Sequence, residues 1–95
     1  MRSYEVALVL KPNVEEEKCE NLFGKVTSLV EEAGGAMGGI TRLGKRRLAY
    51  EVKDCRDGNY SILKFQGGHK VPAEVDRVLR LSEEVLRHLI TREEV

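Results

Sequence analysis

Lys45, Arg46 and Arg47 stand side by side, directly after Gly44 and directly before Leu48-Ala49-Tyr50-Glu51-Val52. Adjacent cations of this kind can hold phosphate oxygens or acidic side chains. The alternation that follows puts Leu48, Tyr50 and Val52 on one face of a strand and Ala49 and Glu51 on the other. Gly44 marks a point where a strand can bulge or another backbone can approach. Together these residues describe a rigid platform that presents cations to a partner. Short runs of Lys and Arg are also ordinary solvated surface and discourage edge-to-edge pairing, so the stretch gains meaning only from the rest of the chain.

The other side chains capable of chemistry do not assemble into a catalytic set. His69 lies in a glycine loop and His88 in a basic, apolar segment, and neither is spaced from Cys19 or Cys55 as metal ligands are. A nucleophile also needs a base and an orienting group, and nothing supplies them. Asp54 and Asp57 read as turn formers. Glu15, Glu16 and Glu17 read as negative charge in the first turn of a helix. Gly67-Gly68 lacks the downstream Lys-Ser/Thr of a phosphate loop. The expectation is no enzyme, no metal and no cofactor.

Those residues must be positioned by a small fold. At 95 residues the chain is one domain, 1–95, with room for a single core between two layers. Lys and Arg number 16, as do Asp and Glu, so the net charge is zero. Any RNA binding must then run through a local patch or alongside a more basic partner. The N-terminus enters a strand pattern at once, without a signal peptide. No apolar run approaches the ~20 residues of a membrane span. A cytoplasmic protein with reduced thiols is expected.

In order, Ser3–Leu10 reads as a strand with Tyr4, Val6, Leu8 and Leu10 on one face. Asn13, with Glu16 three residues on, resembles a capping box. The helix it opens runs to about Ala33, its apolar stripe made by Cys19, Leu22, Phe23, Val26, Leu29, Val30 and Ala33, and Gly34-Gly35 ends it. Ala36–Val52 is a long, glycine-interrupted strand. Lys53–Asn59 is a turn with Asp57-Gly58 at its sharpest point. Tyr60–Gln66 returns as the second strand of a hairpin. A second helix begins near Val71 and Pro72. Beyond it, the spacing of Val75, Val78, Leu79, Ser82, Val85, Leu86, Leu89 and Ile90 fits one long helix. It fits equally a turn at Leu81–Glu84 followed by a strand from Val85 to Thr91, and the pattern does not choose. The strand alternative gives the order βαββαβ.

That order is shared by RNA-recognition motifs, which stack bases on aromatics of the central strands. Arg56-Asp57-Gly58-Asn59-Tyr60-Ser61-Ile62-Leu63-Lys64-Phe65 lacks the required basic-Gly-aromatic run. Tyr4, Phe23 and Phe65 belong to the core. Base stacking on the sheet is therefore disfavoured. What remains are cations at loops and edges: Arg2, Arg42, Lys45, Arg46, Arg47, Arg80, Arg87 and Arg92. They suit folded RNA, read by phosphates and shape, and equally an acidic or mixed-charge protein surface. Two other readings of a small domain like this are weaker. Gly34-Gly35 and Gly67-Gly68 could line a metabolite site of a dimeric regulatory domain, but such pairs usually serve as caps and turns. Acylphosphatase-like hydrolysis lacks a phosphate-binding loop.

The chain resembles the bacterial small-subunit ribosomal protein six family end to end. The carriers are Met1-Arg2-Ser3-Tyr4-Glu5-Val6, the Pro12-Asn13 helix entry, Gly44-Lys45-Arg46-Arg47-Leu48-Ala49-Tyr50, Leu79-Arg80-Leu81 and Val85-Leu86-Arg87-His88. The resemblance implies an α+β, ferredoxin-like βαββαβ fold: a four-stranded antiparallel sheet with two helices on one face, and so a last strand instead of one long helix. It implies a place in the central domain (platform) of the small ribosomal subunit. There the family pairs with small-subunit ribosomal protein eighteen, a basic protein, and the pair binds small-subunit ribosomal RNA. By the same resemblance Arg2, Arg80 and Arg87 are RNA contacts, and Arg42, Arg46 and Arg47 face the partner. Thr41 and Arg42 depart from the family, where acidic residues are common. No counterpart of the family's longer tail follows Val95, so no tail contact is expected. The second strand is an edge in this fold, which allows a homodimer when the partner is missing.

Overall fold

The computed structural model describes residues 2–93 and contains β1 (Arg2–Leu10), α1 (Glu16–Glu32), β2 (Ala36–Val52), β3 (Cys55–Gly67), α2 (Val71–Leu81) and β4 (Val85–Arg92). The strands form one sheet in the order β2-β3-β1-β4, with every neighbouring pair antiparallel. The expected βαββαβ architecture is therefore present. The segment after α2 is a strand because Ser82 leaves the helix with extended backbone (φ −84°, ψ 124°) and Val85–Arg92 then pairs with β1.

Periodicity explains the core. Tyr4, Val6, Leu8 and Leu10 of β1 are buried, as are Leu63 and Phe65 of β3 on the same face. Cys19, Leu22, Phe23, Val26 and Val30 from α1, and Val71, Val75 and Leu79 from α2, cover that face. Cross-strand partners Tyr4 and Phe65 stack at 5.3 Å. Each of the larger aliphatic side chains stabilises the fold by roughly 1.5–3 kcal/mol through burial. The opposite face of the sheet is left without a helix.

Two local expectations are corrected. Asn13 does not cap α1: Glu15 holds that position, and no side chain bonds the free amides. The C-terminus closes as read, with Gly34 N–H donating to Glu31 O and Gly35 N–H to Val30 O. The hairpin turn lies at Lys53-Asp54, both in the left-handed region (φ 49° and 63°), and Asp57-Gly58 lies within β3. Two successive left-handed residues make the tight turn that suits the twist of a hairpin, although neither is glycine. The long, irregular β2 has the bounds expected of it, Ala36–Val52. Its pairing with β3 shifts between Arg47 and Val52, so that the four residues Leu48–Glu51 stand opposite Arg56 alone. A smaller bulge falls at Arg42–Gly44, where Gly44 takes φ +86° as its position before the cations had suggested.

Candidate functional site

β2 is one edge of the sheet, and it carries the basic run. Lys45, Arg46 and Arg47 are exposed and enter no ion pair among the described residues. Strand alternation separates them: Arg46 pairs with Gly58, while Lys45 and Arg47 pair with Asn59 and Asp57. Adjacent positions on a strand point to opposite faces, so the cluster offers positive charge on both sides of the edge.

The same run ends in the wide bulge. Leu48 and Val52 are half-buried, as their alternation predicted, but Tyr50 is 62% exposed and leaves the pattern. Its hydroxyl accepts a hydrogen bond from Arg87 Nη1 of β4 at 2.9 Å, and the guanidinium carbon lies 5.7 Å from the ring centre. The hairpin arm is thus laid back across the uncovered face. Leu48, Tyr50, Tyr60, Val9, Ala7 and Leu89 line a shallow groove there. Gly58 makes the closure possible, because a Cβ at that position would overlap Val9 Cγ1. Lys53 Nζ donates to Val85 O at 3.2 Å and fixes the tip of the arm to the start of β4.

The remaining arginines named from the sequence are dispersed. Arg42 turns toward α1, where it pairs with Glu16 and lies 5.5 Å from the Phe23 ring centre. This bond, above all, holds the Glu16 carboxyl below its ordinary range. Arg80 is exposed on α2 and pairs with Asp76. Asp76 also meets His88 Nε2 of β4 at 2.7 Å, and His88 first, then Arg80, draws its carboxyl below the usual value. Arg2 is exposed at the start of β1, opposite Gly67. Arg80 therefore lies on the helix-covered side of the sheet and Arg87 on the uncovered side. The fold groups Arg87 with Tyr50, at the end of the basic run, and not with Arg80.

Sequence reasoning missed the tie between Asp76, Arg80 and His88. The spacing of Asp76 and Arg80, four apart on a helix, was a legible signal for their pairing; His88 becomes a neighbour only once β4 docks beside α2. The two cysteines are free thiols, and burial raises that of Cys19.

The domain thus carries its helices on one face and leaves a cationic edge strand and a sheet face exposed. Comparison with known proteins gives the family. The model for ribosomal protein S6 matches residues 3–92. The small ribosomal subunit protein bS6 of Natranaerobius thermophilus is 48% identical over 99% of this chain and 98% of its own, and that of Desulforudis audaxviator is 43% identical over 99% and 100%. The crystal structure of 30S ribosomal protein S6 from Thermotoga maritima superposes with a TM-score of 0.87 at 32% identity, over 97% of this chain and 87% of that one. The chain belongs to the ribosomal protein S6 family and is a structural component of the small ribosomal subunit. The P2 domain of the chemotaxis kinase CheA from the same Thermotoga shares the fold alone, at 11% identity and a TM-score of 0.56.

Proposed function

We propose that this chain binds the central domain (platform) of small-subunit ribosomal RNA jointly with small-subunit ribosomal protein eighteen, in the cytoplasm, and supports translation as a non-catalytic scaffold. The observation that carries this reading is the run Lys45-Arg46-Arg47, held on an exposed edge strand without an internal ion pair among the described residues. A charge-balanced protein gains little from RNA as a whole body, so a basic partner adds the missing attraction. Arg46 and Arg47 face that partner. Arg2, Arg80 and Arg87 meet RNA phosphates. Arg42, grouped with Arg46 and Arg47 as a partner contact although it departs from the family pattern, pairs with Glu16 and Phe23, which supports a role inside the fold.

The test is a titration of a central-domain RNA fragment with this chain, with and without protein eighteen, at two salt concentrations. Binding that needs the partner and weakens with salt is the expected result. Absence of binding in every condition, with both proteins folded, overturns the proposal. A second reading is favoured by one observation: β2 spans 17 residues and its outer edge has no strand beside it among the described residues. Without its partner the chain pairs with a second copy along that edge, which sedimentation at increasing concentration would reveal.

A further inference from the structure

Tyr50 belongs to the stretch proposed to face the partner, and Arg87 to the set proposed to meet RNA. The fold brings the two into contact across 37 positions of sequence. A regular strand would continue the pairing of Arg47 with Asp57. Instead the bulge at Leu48–Glu51 lets Tyr50 reach β4. The bond from Lys53 to Val85 and the close packing at Gly58 hold the same arm down.

The way Arg87 is held differs from its counterparts. Arg42 and Arg80 are each anchored by a carboxylate, which cancels much of their charge. Arg46 and Arg47 have no charged partner among the described residues. Arg87 is anchored by a hydroxyl and a ring face, so it is oriented with no carboxylate paired to it among the described residues. A guanidinium has five N–H donors in a rigid fork. Tyr50 engages the Nη1 end and leaves donors for a phosphate. A side chain already held in one rotamer loses less entropy on binding.

We infer that Tyr50 is a positioning residue, which fixes the Arg87 guanidinium for a phosphate of the RNA and so links the partner-facing stretch to the RNA-facing side chain. The inference rests on the proposed role of Arg87. Tyr50→Phe removes the hydroxyl and keeps the ring. Arg87→Ala removes the charge. Both are made singly and together, and each is titrated with the central-domain RNA fragment in the presence of protein eighteen at two salt concentrations. Partner affinity is measured separately without RNA.

Tyr50→Phe should weaken RNA binding by roughly 3–10-fold, a loss larger than any change it makes in partner affinity. Arg87→Ala should weaken it further and lower the salt slope by about 1. In the Arg87→Ala background, Tyr50→Phe should add nothing. Equal losses in both backgrounds, or a parallel fall in partner affinity, overturn the positioning role while leaving Arg87 as an RNA contact. No effect of Arg87→Ala overturns both. Failure of the unaltered pair to bind RNA overturns the functional reading, and the inference with it.

Discussion

Arginines that look alike in the sequence are held differently in the fold, and each holding predicts a different phenotype. Arg42 ties β2 to α1 through Glu16 and Phe23. Arg42→Ala should lower Tm by a few degrees, whereas Arg46→Ala and Arg47→Ala should stay within about 0.5 kcal/mol of the unaltered protein and reduce partner binding instead. Thermal melts and partner titrations separate the two outcomes. Asp76 sits between His88 and Arg80 with its carboxyl held below the ordinary range, and Glu16 is shifted the same way by Arg42. A carboxylate with a depressed folded pKa adds stability that is fully present above its unfolded pKa. That stability is lost as pH falls through the folded value. Stability should therefore drop below about pH 4, and the drop should be shallower in Asp76→Asn. Urea midpoints between neutral pH and pH 3 check this. Ser61 is 2% exposed, and its hydroxyl has no hydrogen-bond partner among the described residues. Ser61→Ala should leave stability unchanged or raise it by up to about 1 kcal/mol, measured by denaturant unfolding.

Element by element, two glycines in the β2–β3 hairpin have different duties. Gly44 supplies a left-handed bulge residue, and Gly58 supplies empty space against Val9 and Leu48. Gly44→Ala should cost about 1 kcal/mol from backbone strain. Gly58→Ala should cost about 1–3 kcal/mol from overpacking. Gly39→Ala, where a Cβ meets nothing within 4 Å, serves as the control in the same denaturant series. The misplaced turn has the same origin. Asp57-Gly58 carries the usual signature of a turn, yet its glycine answers to a packing demand from β1, which is distant in sequence. Lys53-Asp54 turns without glycine. The apolar stripes of α1 and β1 were legible because burial follows their period, and the C-terminal glycines of α1 because their hydrogen bonds are local. The identity of β4 was not legible from pattern, since Val85–Ile90 fits both periods and only pairing with β1 decides. In the candidate site, the basic run and its bulge-forming glycine could be read directly. The contacts of Tyr50 with Arg87 and of Asp76 with His88 could not, because each joins elements that only the tertiary fold makes neighbours.

At the scale of the whole molecule, zero net charge places the burden of recognition on arrangement. One face is covered by both helices, the other is open, and Lys45, Arg46 and Arg47 stand together on one edge. Pairing of two copies along β2 would bring Lys45, Arg46 and Arg47 of each copy toward like charges. Self-association should therefore strengthen with added salt, opposite in sign to the expected dependence of RNA binding; sedimentation at low and high salt measures it. The order of strands bears also on how the chain is made. β1 is synthesised first, but it sits inside the sheet between β3 and β4. At about 5–20 residues per second, its two neighbours emerge only seconds later, and β4 is the last strand to leave the exit tunnel. Until β3 arrives β1 has two unsatisfied edges, and until β4 arrives it has one. Each new copy of this ribosomal protein thus passes through an interval in which an interior strand is made but not yet paired.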